Sequence, residues 1–171
     1  DVFINAITWS HKPVGVNYNY SLWNKSEPFI KKVITQDMAI LKEMGATAIV
    51  SPPGIPKKWV TYIYKKYQIM TIIHWEMGRW GMTYNSTWNP NPNFEDPKVV
   101  SLLDKEISEV IESYRNTAGF MMYAIGSSHN WGFGWSSPRI DSLPPTTQLD
   151  AKADVIYSLF GKYTDLIHQL D

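Results

Sequence analysis

Two hydrophobic patterns alternate along the chain. Short apolar runs read as buried strands, and longer stretches with apolar residues three and four apart read as helices. The segment PVGVNYNY, residues 13–20, is of the first kind. EPFIKKVITQDMAILKEMG then sets Ile30, Val33, Ile34, Met38 and Leu41 on one helical face, with Pro28 in the first turn and Gly45 as a stop. ATAIVSP is a second strand closed by Pro52 and Pro53, and PKKWVTYIYKKYQ a second helix carrying Trp59, Ile63 and Tyr67. IMTIIHWE is the third strand. Pro97 opens a third helix with the stripe Val99, Leu103, Ile107, Val110 and Tyr114, Gly119 ends it, and FMMYAIG is the fourth strand. DAKADVIYSLFGKYTDLIHQLD spaces Val155, Leu159, Tyr163, Leu166 and Leu170 as a last helix.

Strand–helix units in series predict an α/β fold, with a parallel sheet covered by helices. No G-x-G-x-x-G follows a strand and no Walker pattern is present, which removes support for nucleotide-binding folds. The connections after strands 3 and 4 are long, and the turns from helix back to strand are tight. A (β/α) TIM barrel shows that asymmetry, with its working face at the carboxyl ends of its strands. A full barrel has eight units, so the expectation is one domain over residues 1–171 built as a (β/α)4 half barrel. A half barrel leaves two open sheet edges, which a homo-oligomer or a partner chain is expected to cover.

Composition narrows the chemistry. The 16 basic and 16 acidic residues cancel, so no excess charge points to nucleic acid or an anionic membrane. No apolar run reaches the ~20 residues that span a bilayer. Cysteine is absent and the 4 histidines show no His-x-x-x-His spacing, so neither a metal site nor a cofactor is expected. The first residues lack the basic and apolar regions of a signal peptide; an extracellular or cell-surface location is favoured if the chain is mature after signal removal. Asn19, Asn24 and Asn85 each begin a formal glycosylation triplet.

Aromatic residues, 14% of the chain with 8 tryptophans, point to a ligand through their placement. Trp23, Trp75, Trp80, Trp88, Trp131 and Trp135 fall at strand ends or in the loops after them. On the predicted fold they crowd one rim with Tyr18, Tyr20, Tyr84 and Phe133, among neutral hydrogen-bonding groups such as Asn17, Asn89, Asn91 and Asn130. Flat rings with polar edges suit the C–H faces of sugars. The competing reading is that the rings only pack long loops onto the sheet.

VGVNY at 14–18, QDMAILKEMGATAIV at 36–50, GRWG at 78–81 and GSSHNWG at 126–132 carry a resemblance. Together they resemble the clan A glycoside hydrolases, particularly the TIM-barrel domain of family two, over nearly the whole chain but only the first half of that barrel. Asp37, Lys42, Gly45 and Ile49 match the family's D-x-x-x-x-K-x-x-G-x-N-x-I-R segment, with Thr47 in place of its Asn and Val50 in place of its Arg. Active relatives end strand 4 with GNEN, where Glu is the general acid/base and the preceding Asn binds the sugar's 2-hydroxyl. Here Ser127 stands at the Asn position and Ser128 at the Glu position.

A serine hydroxyl cannot protonate a departing glycosidic oxygen near neutral pH. The retaining mechanism also needs a second carboxylate, ~5–5.5 Å away, which the family supplies from strand 7. The resemblance therefore implies a catalytically inactive domain with a carbohydrate-binding or protein-interaction role and no catalytic residue. The alternatives are a fragment of an active retaining hydrolase or transglycosidase completed by missing strands, and a scaffold assembled with a partner or a second copy. The residues expected to face a glycan are Tyr18, His74, Trp75, Glu76 and Arg79, with Trp80, His129, Asn130 and Trp131. Glu76 would lie about one strand spacing, ~4.8 Å, from the lost acid; pairing with Arg79 or a hydrogen bond in the rim suits it better. A serine-hydrolase elbow at residues 126–130 is discounted because Asn130 occupies the place of its second glycine.

Overall fold

The computed structural model describes residues 3–12, 15–16, 20–127, 129 and 134–171. In chain order the elements are β1 (Ala6–Thr8), a 3-10 turn (Leu22–Asn24), α1 (Glu27–Glu43), β2 (Ala48–Ser51), α2 (Lys57–Tyr67), β3 (Met70–Trp75), β4 (Met82–Tyr84), β5 (Thr87–Asn89), α3 (Pro97–Tyr114), β6 (Phe120–Ile125), α4 (Pro138–Asp141) and α5 (Pro145–Leu170). Four strands form one parallel sheet in the order β1-β2-β3-β6, which is the α/β architecture expected. Among the described residues the sheet ends at β1 and β6 and does not close. A separate antiparallel pair, β4 with β5, stands in the connection after β3.

The strand paired to β2 is Ala6–Thr8, through Ala6↔Ala48, Ile7↔Ile49 and Thr8↔Val50, while residues 13–14 and 17–19 of the run expected as the first strand lie outside the described residues. Of that run, Gly15, Val16 and Tyr20 are described and none lies in a strand. Ladder pairing decided the matter: a short, half-exposed edge strand needs no apolar signature of its own.

The chain gathers into two compact units, residues 1–74 with 114–124 and residues 75–113 with 125–171. In the first, β2 and β3 bury Ala48, Ile49, Ile72 and Ile73, and α1 turns Ile30, Ile34, Met38 and Leu41 inward. Pro28 sits in α1's first turn, Glu27 pairs with Lys31 one turn on at 3.0 Å, and Gly45 ends the helix at φ +76. Asp37 accepts a 2.9 Å hydrogen bond from the Trp9 indole N–H, which ties α1 to the carboxyl end of β1. Gly119 lets the turn before β6 press onto α2: a Cβ there would lie 2.3 Å from Tyr64 Cβ.

In the second unit α3 buries Val99, Leu103, Ile107, Val110 and Ile111, and α5 buries Ile156, Leu159 and Tyr163. Trp75 packs edge-on against Tyr163 with ring centroids 5.1 Å apart. Lys162 reaches Asp104 at 2.5 Å. Burial, and then the charge of Asp104, push the Tyr163 hydroxyl well above the ordinary tyrosine value.

Candidate functional site

The site is built in the second unit from the connections that leave β3 and β6. After Trp75 the chain turns sharply: Met77 and Gly78 hold φ of +50 and +68, and the amides of Arg79 and Gly81 donate to Glu76 and Gly78 at 3.0 Å. Met77 is fully buried, and a bulky residue in the left-handed region costs ~1–2 kcal/mol. The turn feeds the β4–β5 hairpin, registered Met82↔Asn89, Thr83↔Trp88 and Tyr84↔Thr87. Asn85 and Ser86, at φ +51 and +58, make the two-residue type I′ connection whose twist suits paired strands. Asn89 donates from its amide to the Tyr84 hydroxyl at 2.7 Å, bracing the hairpin from one side.

Two indoles stand out on this connection, Trp80 at 57% and Trp88 at 56% exposure. The Arg79 guanidinium lies 4.7 Å from the Trp80 ring centroid, a cation–π contact that holds the ring. Trp88 is laid against backbone: a Cβ on Gly81 would sit 2.6 Å from Trp88 Cζ2 and 2.7 Å from the Asn89 carbonyl oxygen. Gly81 at φ +105 thus gives the indole a place to lie while leaving more than half of it in water.

The connection after β6 turns inward. The Gly126 amide donates to the Trp75 carbonyl at 2.7 Å, and the Ser127 amide donates to His129 Nδ1 at 3.1 Å. Nδ1 is then an acceptor, so the neutral ring carries its proton on Nε2, 3.4 Å from the Met77 carbonyl. His129 is buried, edge-on to Phe160 at 5.4 Å and near Phe94 at 6.2 Å. Trp135 is buried edge-on to Phe94 at 5.4 Å. A recess lined by Arg79, Asn91, Phe94, His129 and Trp135 offers about 20 Å³, room for about one water and not for a sugar ring.

Glu95 fastens the segment that runs into α4. Its carboxylate accepts from the Ser137 hydroxyl and from Arg139 Nε at 2.6 Å, while the Ser137 oxygen accepts from the Ile140 amide and so caps α4. Partial burial works to raise its pKa, but the Ser137 and Arg139 hydrogen bonds and the Arg139 charge prevail and hold it below the usual carboxylate value.

A broader groove lies on the hairpin's side. It measures about 630 Å³ and is lined by Thr83, Tyr84, Asn85 and Ser86 of the hairpin with Pro97, Lys98, Ser101 and Leu102 of α3. That volume falls within the range of small-ligand sites.

Of the expected glycan contacts, Arg79 and His129 share the small recess. Arg79 and Trp80 stand together, Glu76 is exposed beside them, and His74 is half-buried on β3. Trp75 and His129 are buried, Trp75 against the Tyr163 ring and His129 between Phe94 and Phe160. Trp135, placed on the rim by its position in the chain, is likewise core. Ser127 is half-buried and engaged through its amide. Tyr18, Ser128, Asn130 and Trp131 lie outside the described residues.

Lys98 and Glu95 were missing from the expected site, and Trp88 was placed on the rim but not among the expected glycan contacts. The alternating polar and aromatic text around Asn85-Ser86 was the available signal for the hairpin. A second aromatic group, Trp9 with His11 and Trp23, marks the carboxyl end of β1, with the His11 and Trp23 centroids 5.0 Å apart. Burial, with the neighbouring Lys12 charge, lowers the His11 pKa.

Among the described residues no three His, Cys, Asp or Glu side chains gather as a metal site, and no helix is long and apolar enough to cross a membrane. No family model, curated protein or solved structure compared with the chain matches it.

Proposed function

We propose that the chain is a glycoside-hydrolase-like half barrel of the TIM type that binds carbohydrate on the β4–β5 hairpin without cleaving it. The observation that carries this reading is the pair of exposed, pre-positioned indoles, Trp80 on Arg79 and Trp88 on the Gly81 backbone. Rings held before a ligand arrives lose little side-chain freedom on binding, which favours stacking on a sugar. The parallel strands and the long connection after β3 are consistent with half a barrel. The absence of cleavage rests on Ser127 and Ser128 at the acid/base motif. Glu95 is a poor substitute, since a general acid needs a raised pKa and Glu95 has a lowered one.

The test is calorimetric and fluorescence titration with oligosaccharides from β-glucan, galactan and mannan. Saturable binding is expected, lost in a Trp80→Ala/Trp88→Ala double variant whose unfolding midpoint is little changed. Silence across all three glycans removes the reading.

A second reading has its own observation. β1 and β6 each end the sheet, with Phe3 at 85% and Met122 at 42% exposure beside or within them. Open edges of this kind favour assembly with a second copy or another chain. Light scattering separates the readings: a monomer at all concentrations discards assembly with a second copy and leaves carbohydrate binding standing.

A further inference from the structure

We infer that the groove beside the hairpin extends the Trp88 platform and selects an acidic oligosaccharide, one bearing carboxylates such as uronic acid units. This rests on the carbohydrate-binding reading above and names the ligand class of the same surface.

The first step is register. The groove takes in the tip of the hairpin from both faces, Tyr84 from one and Thr83 from the other, and Thr83 is the cross-strand partner of Trp88. The indole therefore stands beside Thr83, at the edge of the groove, and a chain of sugars stacked on it can continue past that edge. At about 630 Å³ the groove has room for further sugar units, whereas the recess by His129 takes about one water.

The second step is lining chemistry. Thr83, Ser86 and Ser101 offer hydroxyls, Tyr84 a ring and Asn85 an amide, all suited to sugar hydroxyls. Among the described residues lining the groove, Lys98 alone carries a charge, and it is exposed. The nearby Asp96 carboxylate is committed to the Lys98 backbone amide at 2.9 Å, capping α3. A ligand carboxylate thus meets the Lys98 cation, while a neutral sugar meets only the hydroxyls and rings.

The experiment uses the full chain and two matched probe pairs: trigalacturonate with its methyl ester, and trimannuronate with mannotriose. Affinities are read by calorimetry between about 0.01 M and about 1 M salt, where the screening length falls from about 30 to about 3 Å. At low salt one acidic member is expected to bind about threefold to fivefold tighter than its neutral partner, the reach of one exposed ion pair. That margin should vanish at high salt and in Lys98→Gln, and invert in Lys98→Glu. Equal affinity within both pairs, or an acidic preference that survives Lys98→Gln, overturns the inference while leaving the indole platform intact. No binding by any probe, together with silence on the neutral glycans above, sinks both.

Discussion

The two long connections of the second unit look alike in sequence, each rich in Trp and small residues, yet they fold in opposite senses. The one after β3 reverses into a hairpin and leaves Trp80 and Trp88 more than half exposed. The one after β6 drives His129 and Trp135 against Phe94 and Phe160, and both end as core. An indole near a strand's carboxyl end is therefore no sign of a ligand by itself. What separates platform from core is whether a ring from a distant segment arrives to cover it.

The sharpest way to break this contrast is to remove one indole from each connection. Trp135→Ala should cost ~3–5 kcal/mol, the range for deleting a buried aromatic, read as a lowered midpoint in denaturant. Trp88→Ala should shift stability by no more than ~1 kcal/mol and act on glycan affinity instead. Similar losses in the two variants would erase the distinction between platform and core.

Next in size is Glu95→Gln, which weakens the bonds to Ser137 and Arg139. Discounted for the partial exposure of the Arg139 pair, the expected loss is about 1–2 kcal/mol. The same group sets a pH dependence. Because Glu95's pKa is depressed on folding, its contribution is present above the unfolded carboxylate value, 4.5, and disappears as pH falls through the lower folded value. Unfolding midpoints measured from pH 7 down to pH 3 should show a steeper acid decline in the wild type than in the Gln variant, and parallel curves would discard the clamp. Tyr163 works at the other end of the scale. Its raised pKa gives a contribution that is complete below the unfolded value of 10.0 and is lost as pH climbs toward the folded one, so Tyr163→Phe should flatten the alkaline limb.

The smallest effect tests the hairpin. Ser86 sits at φ +58, where glycine is at ease, so Ser86→Gly should stabilise the unit by ~0.5 kcal/mol or more. A destabilised Gly variant would argue against the type I′ turn and the register built on it.

Much of the fold was legible because the 3.6-residue rhythm is a direct image of burial. Each of the five α3 stripe residues, from Val99 to Tyr114, is buried, and β2 and β3 lie within the apolar runs that announced them. β1 was missed because Ala6, Ile7 and Thr8 form an edge strand with an exposed–intermediate–exposed pattern, which leaves no apolar mark. The hairpin escaped for a related reason, since its three-residue strands cover no core. The site was legible in kind and not in depth. Position alone put Trp75, Trp80 and Trp135 on one rim, but Tyr163 and Phe94, remote in sequence, decide which of them sees solvent.

Gly81 ties that outcome to one hydrogen atom. A methyl group there would meet the Trp88 ring and the backbone of Asn89 and Pro90 within 3 Å, so the indole would have to stand away from the strand. The surface can thus lose its shape while its aromatic inventory stays intact. A survey of all single changes scored for ligand capture should single out residue 81 as sharply as residue 88, though its own surface never meets a sugar.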